Sequence, residues 1–230
     1  MYDILFNENL QQKMTEYFLK ELAPLGVVKA FGKNEIIDPD DANSVYIVLD
    51  GAFNQVLYSR DGDEMSFFRL ERGTIFGEMD FFDGERTCVI TKALKASAVS
   101  IVSRDVLENE LIKEPDIYKH FMHSIIRKYR IVMLELADVK FNDALGKLAH
   151  VLVRLAHTTN YRSNKNSENK KINMTFTHEE LANRMAANRS TITNGLKYFK
   201  DQNLITIKDR QIHITDIEGL KRYITPYWSD

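Results

Sequence analysis

The chain has 230 residues, 44% hydrophobic and 28% charged, with four prolines and one cysteine; this is the makeup of a globular protein with one large or two small domains, and it excludes disordered and collagen-like classes. No apolar run reaches the ~18 residues of a membrane span, the opening MYDILFNENL lacks the basic flank and apolar core of an export signal, and Cys88 alone supplies neither an intrachain disulfide nor the thiolates of a metal cluster. The expected compartment is the cytoplasm. The net charge of −2 conceals an asymmetry, because residues 1–142 carry 17 Lys and Arg against 24 Asp and Glu while residues 143–230 carry 14 against 9, so a polyanion partner is expected for the C-terminal part only.

Seven of the ten glycines fall in the first 84 residues. There, Val45–Leu49, Phe53–Ser59 and Met65–Leu70 are separated by Asp50-Gly51 and Asp61-Gly62, a spacing that predicts short strands joined by tight hairpins in a roll, sandwich or barrel. From Asp116 the texture changes. Tyr118, Met122, Ile125, Tyr129, Val132, Leu136 and Val139 follow at alternating spacings of 4 and 3, with no Gly or Pro from Asp116 to Phe141. That heptad seam predicts a long helix that pairs with a second copy of itself, while Phe121, Ile131 and Leu134 serve its other face; a helix lying on its own domain is the alternative.

Helical periodicity continues from Asp143 to His157, and the polar run TTNYRSNKNSENKK reads as a mobile loop. Thr177-His178-Glu179-Glu180 has the spacing of a capping box, in which hydroxyl and carboxylate satisfy each other's free backbone donors, and it starts a helix ending near Met185. After Ala186-Ala187-Asn188, a second helix from about Arg189 to Asp201 turns Ile192, Leu196 and Phe199 inward and Ser190, Thr191, Asn194 and Lys197 outward. Ile205, Ile207, Ile212 and Ile214 form a hairpin around Lys208-Asp209-Arg210-Gln211, and Asp216 caps a last helix through Tyr223. Helix, turn, helix and hairpin make a winged helix-turn-helix.

Two motifs, in order and with the long helix between them, carry a resemblance that spans nearly the whole chain: Phe76-Gly77-Glu78 followed eight residues later by Arg86-Thr87, and the segment Thr177–Ile205 ending DQNLI. The sequence resembles the cyclic-AMP receptor and fumarate-nitrate regulator (Crp/Fnr) family of bacterial transcription factors. The resemblance implies an α+β fold with an N-terminal β-roll of the cyclic-nucleotide-binding, jelly-roll type (residues 1–115), a long dimerisation helix (116–142) and a C-terminal winged helix-turn-helix (143–230). It also implies a ligand-responsive, homodimeric DNA-binding regulator with a palindromic double-stranded operator and RNA polymerase as a further partner. A regulatory module acting through protein contacts, with no operator of its own, is the rival reading.

Chemically, the first motif looks like a phosphate-binding cassette. Gly77 admits backbone N–H groups to an anion, Arg86 offers a planar fork, Thr87 a hydroxyl, and Glu78 an acceptor for a ribose hydroxyl; alternatively, Glu78 and Arg86 merely pair with each other. Val132 and Met133 stand where cyclic-AMP responders present hydroxyls to the purine, the stretch between Glu78 and Arg86 is shorter than in those members, and Phe81 and Phe82 add aromatic surface. The effector is therefore expected to be a small anion, either a cyclic nucleotide held by its ribose-phosphate or an aromatic acid against Phe81, Phe82, Val132 and Met133.

In the second motif, Thr177, Arg189, Ser190, Thr191, Asn194 and Lys197 are the expected DNA-binding residues. Arg189 matches a guanine-reading arginine of the family, Asn194 suits an adenine edge, Ser190 and Thr191 serve bases or phosphates, and Lys197 serves backbone phosphate. Ala186 stands where such turns often carry glycine, so a turn that is slightly strained or differently shaped is expected there. Asp143, just past the seam, is the expected hinge. All six histidines come at or after position 120, which leaves the roll without a histidine metal centre. His120 and His123 are expected at a surface or interface, and Cys88 as a half-buried thiol or a redox target. No catalytic constellation can be argued from spacing, so no enzyme is expected.

Overall fold

A computed structural model of the chain describes residues 7–37, 43–159, 171–208 and 211–226. They form two compact units, Asn7–Tyr129 and the residues from Arg130 onward.

The first unit opens with helix α1 (Glu8–Tyr17), capped by the Asn7 side chain, which accepts from Leu10 N. Two four-stranded antiparallel sheets follow. One has the order β1 (Val27–Phe31), β8 (Ser97–Ser103), β3 (Ser44–Asp50), β6 (Ile75–Phe76), and the other β2 (Ile36–Ile37), β7 (Ile90–Ala93), β4 (Ala52–Tyr58), β5 (Glu64–Glu71). The glycine-marked hairpins lie where the turn residues predict them, with Gly51 between β3 and β4 and Gly62 between β4 and β5. The first five residues of β3 are all buried, whereas β5 alternates as a strand with one wet face does. Met14, Phe18 and Leu22 from the N-terminal helical segment join Val45, Ile47, Ile75 and Phe121 in one core. Two further helices, α2 (Glu78–Asp83) and α3 (Arg104–Lys113), precede α4 (Tyr118–Phe141). The spacing argument foresaw α4; it did not foresee α1 or α3.

Helix α4 separates its residues by face. Phe121, Ile131 and Leu134 are buried, while Tyr118, Met122, Tyr129, Val132, Leu136 and Val139 are exposed and Ile125 is partly so.

The second unit contains α5 (Ala144–Thr159), α6 (His178–Met185), α7 (Arg189–Asp201), α8 (Ile217–Lys221) and an antiparallel sheet of order β10 (Ile205–Lys208), β11 (Gln211–Ile214), β9 (Lys171–Thr175). The capping box at Thr177 and Glu180 is fully formed, with Glu180 N donating to Thr177 Oγ1 at 3.1 Å and Thr177 N to Glu180 Oε2 at 2.7 Å. Its core joins Leu148 and Leu152 of α5 to Leu181, Ile192, Leu196, Phe199, Ile205 and Ile212. At Gly195 a Cβ would stand 2.7 Å from Leu148 Cδ2, so glycine lets α7 approach α5 closely. Asp216 caps α8 through Gly219 N, although that helix ends at Lys221, two residues before Tyr223. Strand β9, which the sequence did not announce, extends the hairpin to three strands. Of the expected mobile loop, residues 160–170 lie outside the described residues, as do Asp209 and Arg210 of the wing turn. No described helix is long and apolar enough to cross a membrane.

Candidate functional site

The cassette of the first unit begins where β6 ends. Gly77 turns the chain into α2 with φ 82, and a Cβ there would meet Ser44 O at 2.8 Å and the Tyr46 ring at 3.1 Å, so both the backbone angle and the space require glycine. Arg104 of α3 holds α2 from outside. Its Nη2 donates to Phe81 O at 2.8 Å, and its guanidinium sits 4.3 Å from the centroid of the Phe81 ring.

Glu78, the first residue of α2, is 0% exposed. Its Oε1 accepts from Lys128 Nζ at 2.6 Å and from Ser124 Oγ at 2.9 Å, both on α4, and Lys128 Nζ donates again to Ile75 O at 3.0 Å. The alternative expected for Glu78, pairing with Arg86, is replaced: its cation is Lys128. Lysine reaches Oε1 of the buried carboxylate because its long stem crosses apolar surface before the ammonium is needed, while Oε2 stays buried without a hydrogen-bond partner.

Beside the cassette lies a cavity of about 30 Å³ lined by Tyr46, Gln55, Phe76, Asp80, Thr87 and Thr91, together with Gly77. Tyr46 and Phe76 are stacked, centroids 4.8 Å apart at 10°. Asp80 Oδ1 accepts from Thr87 N at 3.0 Å. The sequence-predicted effector residues are thus divided. Gly77 and Thr87 line the cavity; Arg86 is exposed and does not line it. Phe81 is a core residue packed with Phe18 and Phe121, because α2 turns it inward, and half-exposed Phe82 lies edge-on to Phe81 and Phe121. Val132 and Met133 are exposed on the part of α4 that belongs to the second unit.

Two further expectations change, those for Cys88 and His123. Cys88 is exposed rather than half-buried. His123, expected at a surface or interface, is buried. His120 stacks on Tyr17 at 5.1 Å, and burial lowers its pKa from the ordinary 6.5, helped by the positive charge of Lys13 and opposed by Glu114. His120 is partly covered because α1 and its continuation place Tyr17 and Phe18 against it. Among the described residues no group of His, Cys, Asp and Glu is arranged to hold a metal ion.

In the second unit, Asp143 at the expected hinge accepts from Gly146 N at 2.8 Å and starts α5. Around it the end of α4 is bound to the helix-turn-helix by buried polar contacts. His150 Nδ1 lies 2.6 Å from Asp138 Oδ1, Asn142 Nδ2 donates to the same oxygen at 2.6 Å, Thr225 N donates to Asn142 Oδ1 at 2.8 Å, and Arg154 Nη2 donates to Glu135 Oε1 at 2.7 Å. Spacing could not reveal these partners, which come from different elements.

The turn between α6 and α7 places Ala186 at φ 48, ψ 47, in the left-handed region glycine enters freely. Helix α7 then buries Ile192, Gly195, Leu196 and Phe199 and exposes Arg189, Ser190, Asn194 and Lys197, with Thr191 partly covered. Thr177 is spent on the α6 cap. His178 Nδ1 approaches Thr193 Oγ1 at 2.8 Å, tying the start of α6 to α7.

Comparisons with known proteins agree with this division. Residues 29–114 match the family described as the cyclic nucleotide-binding domain, and residues 146–223 the Crp-like helix-turn-helix domain. The chain is 26% identical over 204 residues to a CRP-like cAMP-activated global transcriptional regulator of Mycobacterium tuberculosis, covering 88% of each. It is 24% identical over 174 residues to the cAMP-activated global transcriptional regulator CRP of Klebsiella aerogenes, covering 75% of this chain and 81% of that one. Among solved structures, FixK2 from Bradyrhizobium japonicum superposes with TM-score 0.74 at 16% identity, over 88% of this chain and 99% of that one, and a CooA mutant from Carboxydothermus hydrogenoformans with TM-score 0.75 at 20% identity, over 90% and 94%. These last two are likenesses of fold. With a cyclic nucleotide-binding-type roll and a Crp-like helix-turn-helix in the family's order on one chain, the protein belongs to the Crp/Fnr family of DNA-binding transcription regulators.

Proposed function

We propose that the protein is a homodimeric, cytoplasmic regulator whose affinity for a palindromic operator is set by a small effector held in the β-roll, and that it acts on RNA polymerase. The observation that carries this reading is the division of α7: its inner face is consumed by the core, and its outer face of Arg189, Ser190, Asn194 and Lys197 is presented to solvent, as a helix entering the major groove requires. The apolar stripe of α4, from Tyr118 to Val139, supports pairing with a second copy. The functional division is residues 1–115 for sensing, 116–142 for pairing and 143–230 for reading DNA.

Control is a population shift. Glu78 grips α4 through Ser124 and Lys128, and Asp138, Asn142 and Glu135 grip the helix-turn-helix from the far end of the same helix. An effector that alters the first grip biases how two α4 helices pack, and so whether two recognition helices stand about 34 Å apart. Relatives named for cAMP make a cyclic nucleotide one effector to test, and the aromatic acids suggested by the phenylalanines are a second. The reading is tested by mobility shift of genomic fragments with and without these compounds. A retained set of fragments whose affinity responds to one of them supports it; weak, salt-sensitive and sequence-blind binding in every condition overturns it.

A further inference from the structure

We propose that the cavity of the β-roll receives a small organic cation, an amine of a few heavy atoms, with Asp80 as its counter-ion. This rests on the reading of the roll as the effector site and replaces the anion that the cassette motif suggests.

The argument begins with the two carboxylates at the start of α2. Both are buried, Glu78 at 0% and Asp80 at 7% exposure. Glu78 has its cation, Lys128, and does not line the cavity. Asp80 does line it, as the one charged side chain of its wall among the described residues, and no described cation pairs with it. Arg104, the basic residue that reaches α2 from outside, is committed to Phe81 O, Asn43 Oδ1 and Glu108 Oε1. A buried carboxylate that holds one backbone N–H, from Thr87, and no cation is costly, and a ligand cation offsets that cost.

Other wall groups ask for the same ligand. Gln55, 5% exposed, also lines the cavity, and its Oε1 is buried without a hydrogen-bond partner, an acceptor left for an N–H donor. The stacked Tyr46 and Phe76 rings offer aromatic surface to a cation. An anion meets the opposite conditions. Thr87 N, the backbone donor a phosphate would use, is already taken by Asp80 Oδ1, and a phosphate beside it would face that carboxylate. Arg86, the fork expected for phosphate, is exposed and off the cavity wall. A volume of about 30 Å³, against the roughly 10–15 Å³ that one water requires, confines the ligand to an ammonium head with a short stem.

The test is calorimetric titration of the purified protein with ethylammonium, ethanolamine and butane-1,4-diamine, and with cyclic AMP and inorganic phosphate as anion probes. The expected result is saturable binding of at least one amine, weakened roughly tenfold or more by Asp80→Asn, with no binding of either anion to the unmodified protein. Gln55→Leu, which removes the acceptor without touching the charge, should weaken the same amine and guards against misfolding of the Asp80 variant. Cyclic AMP or phosphate binding more tightly than every amine overturns the proposal, as does the absence of saturable amine binding up to about 10 mM. Operator affinity measured in parallel separates the two readings. Amine binding that leaves operator affinity unchanged keeps the cation site and defeats effector control, whereas a response to cyclic AMP alone keeps effector control and defeats the cation site.

Discussion

Lys128 Nζ stands 2.6 Å from Glu78 Oε1, so one buried charge contact joins the middle of α4 to the first residue of α2. Lys128→Ala leaves Glu78 buried without a cation and should cost about 3–5 kcal/mol of stability, whereas the double variant Glu78→Gln, Lys128→Met should cost much less. Urea unfolding of the two variants checks this, and equal losses in both would show that the charge is not what holds the helices.

Arg189→Ala should cost about 1–3 kcal/mol at the specific operator and relax selectivity at one base pair, while Lys197→Ala should weaken specific and random duplexes alike and lower the salt slope by roughly one. Both side chains are exposed on α7, Arg189 at its first turn, where base edges come within reach. Binding isotherms on operator and scrambled duplexes across a salt series separate the two roles.

Ala186→Gly should stabilise the second unit by up to about 1 kcal/mol, the relief of a left-handed alanine offset in part by the greater freedom of glycine in the unfolded chain. A raised urea midpoint with an unchanged slope is the expected observation, and a lowered one would mean the turn is not strained.

Acid should weaken the first unit through His120. Because burial lowers its pKa in the folded chain below the 6.5 of the exposed group, the unfolded chain binds the extra proton first. The contribution is therefore whole above 6.5 and is lost as pH falls below that value towards the folded-state pKa. Urea unfolding of the protein and of His120→Phe at a series of pH values isolates it: the variant should lose less stability between about pH 7.5 and 5.5.

Much of this architecture was legible in local spacing. The capping box at Thr177 and Glu180, the heptad seam of α4 and the glycine-marked hairpins are signals carried within a few residues, and the elements stand where those signals put them. The cassette was legible as a motif but not as a site. Glu78 lies 50 residues from Lys128, so nothing in either neighbourhood announces the pair. Phe81 and Phe82 read as ligand surface because their spacing does not say which face of a six-residue helix is covered, and the core claims Phe81. Strand β9 was missed because KINMT alternates weakly beside a polar run.

Leu136→Glu, at an exposed position of the α4 stripe, should convert dimer to monomer without loss of the fold and abolish operator binding while leaving weak random binding. Sedimentation equilibrium at micromolar concentration reads the mass directly.

The most direct test of a dimer reading DNA through α7 is sequencing of random duplexes retained by the purified protein, with the effector found by titration present and absent. The account predicts enrichment of an inverted repeat whose half-sites are centred about 10–10.5 base pairs, or a multiple, apart, with a yield that depends on the effector. Enrichment of a single asymmetric element, or of no sequence in either condition, would contradict it.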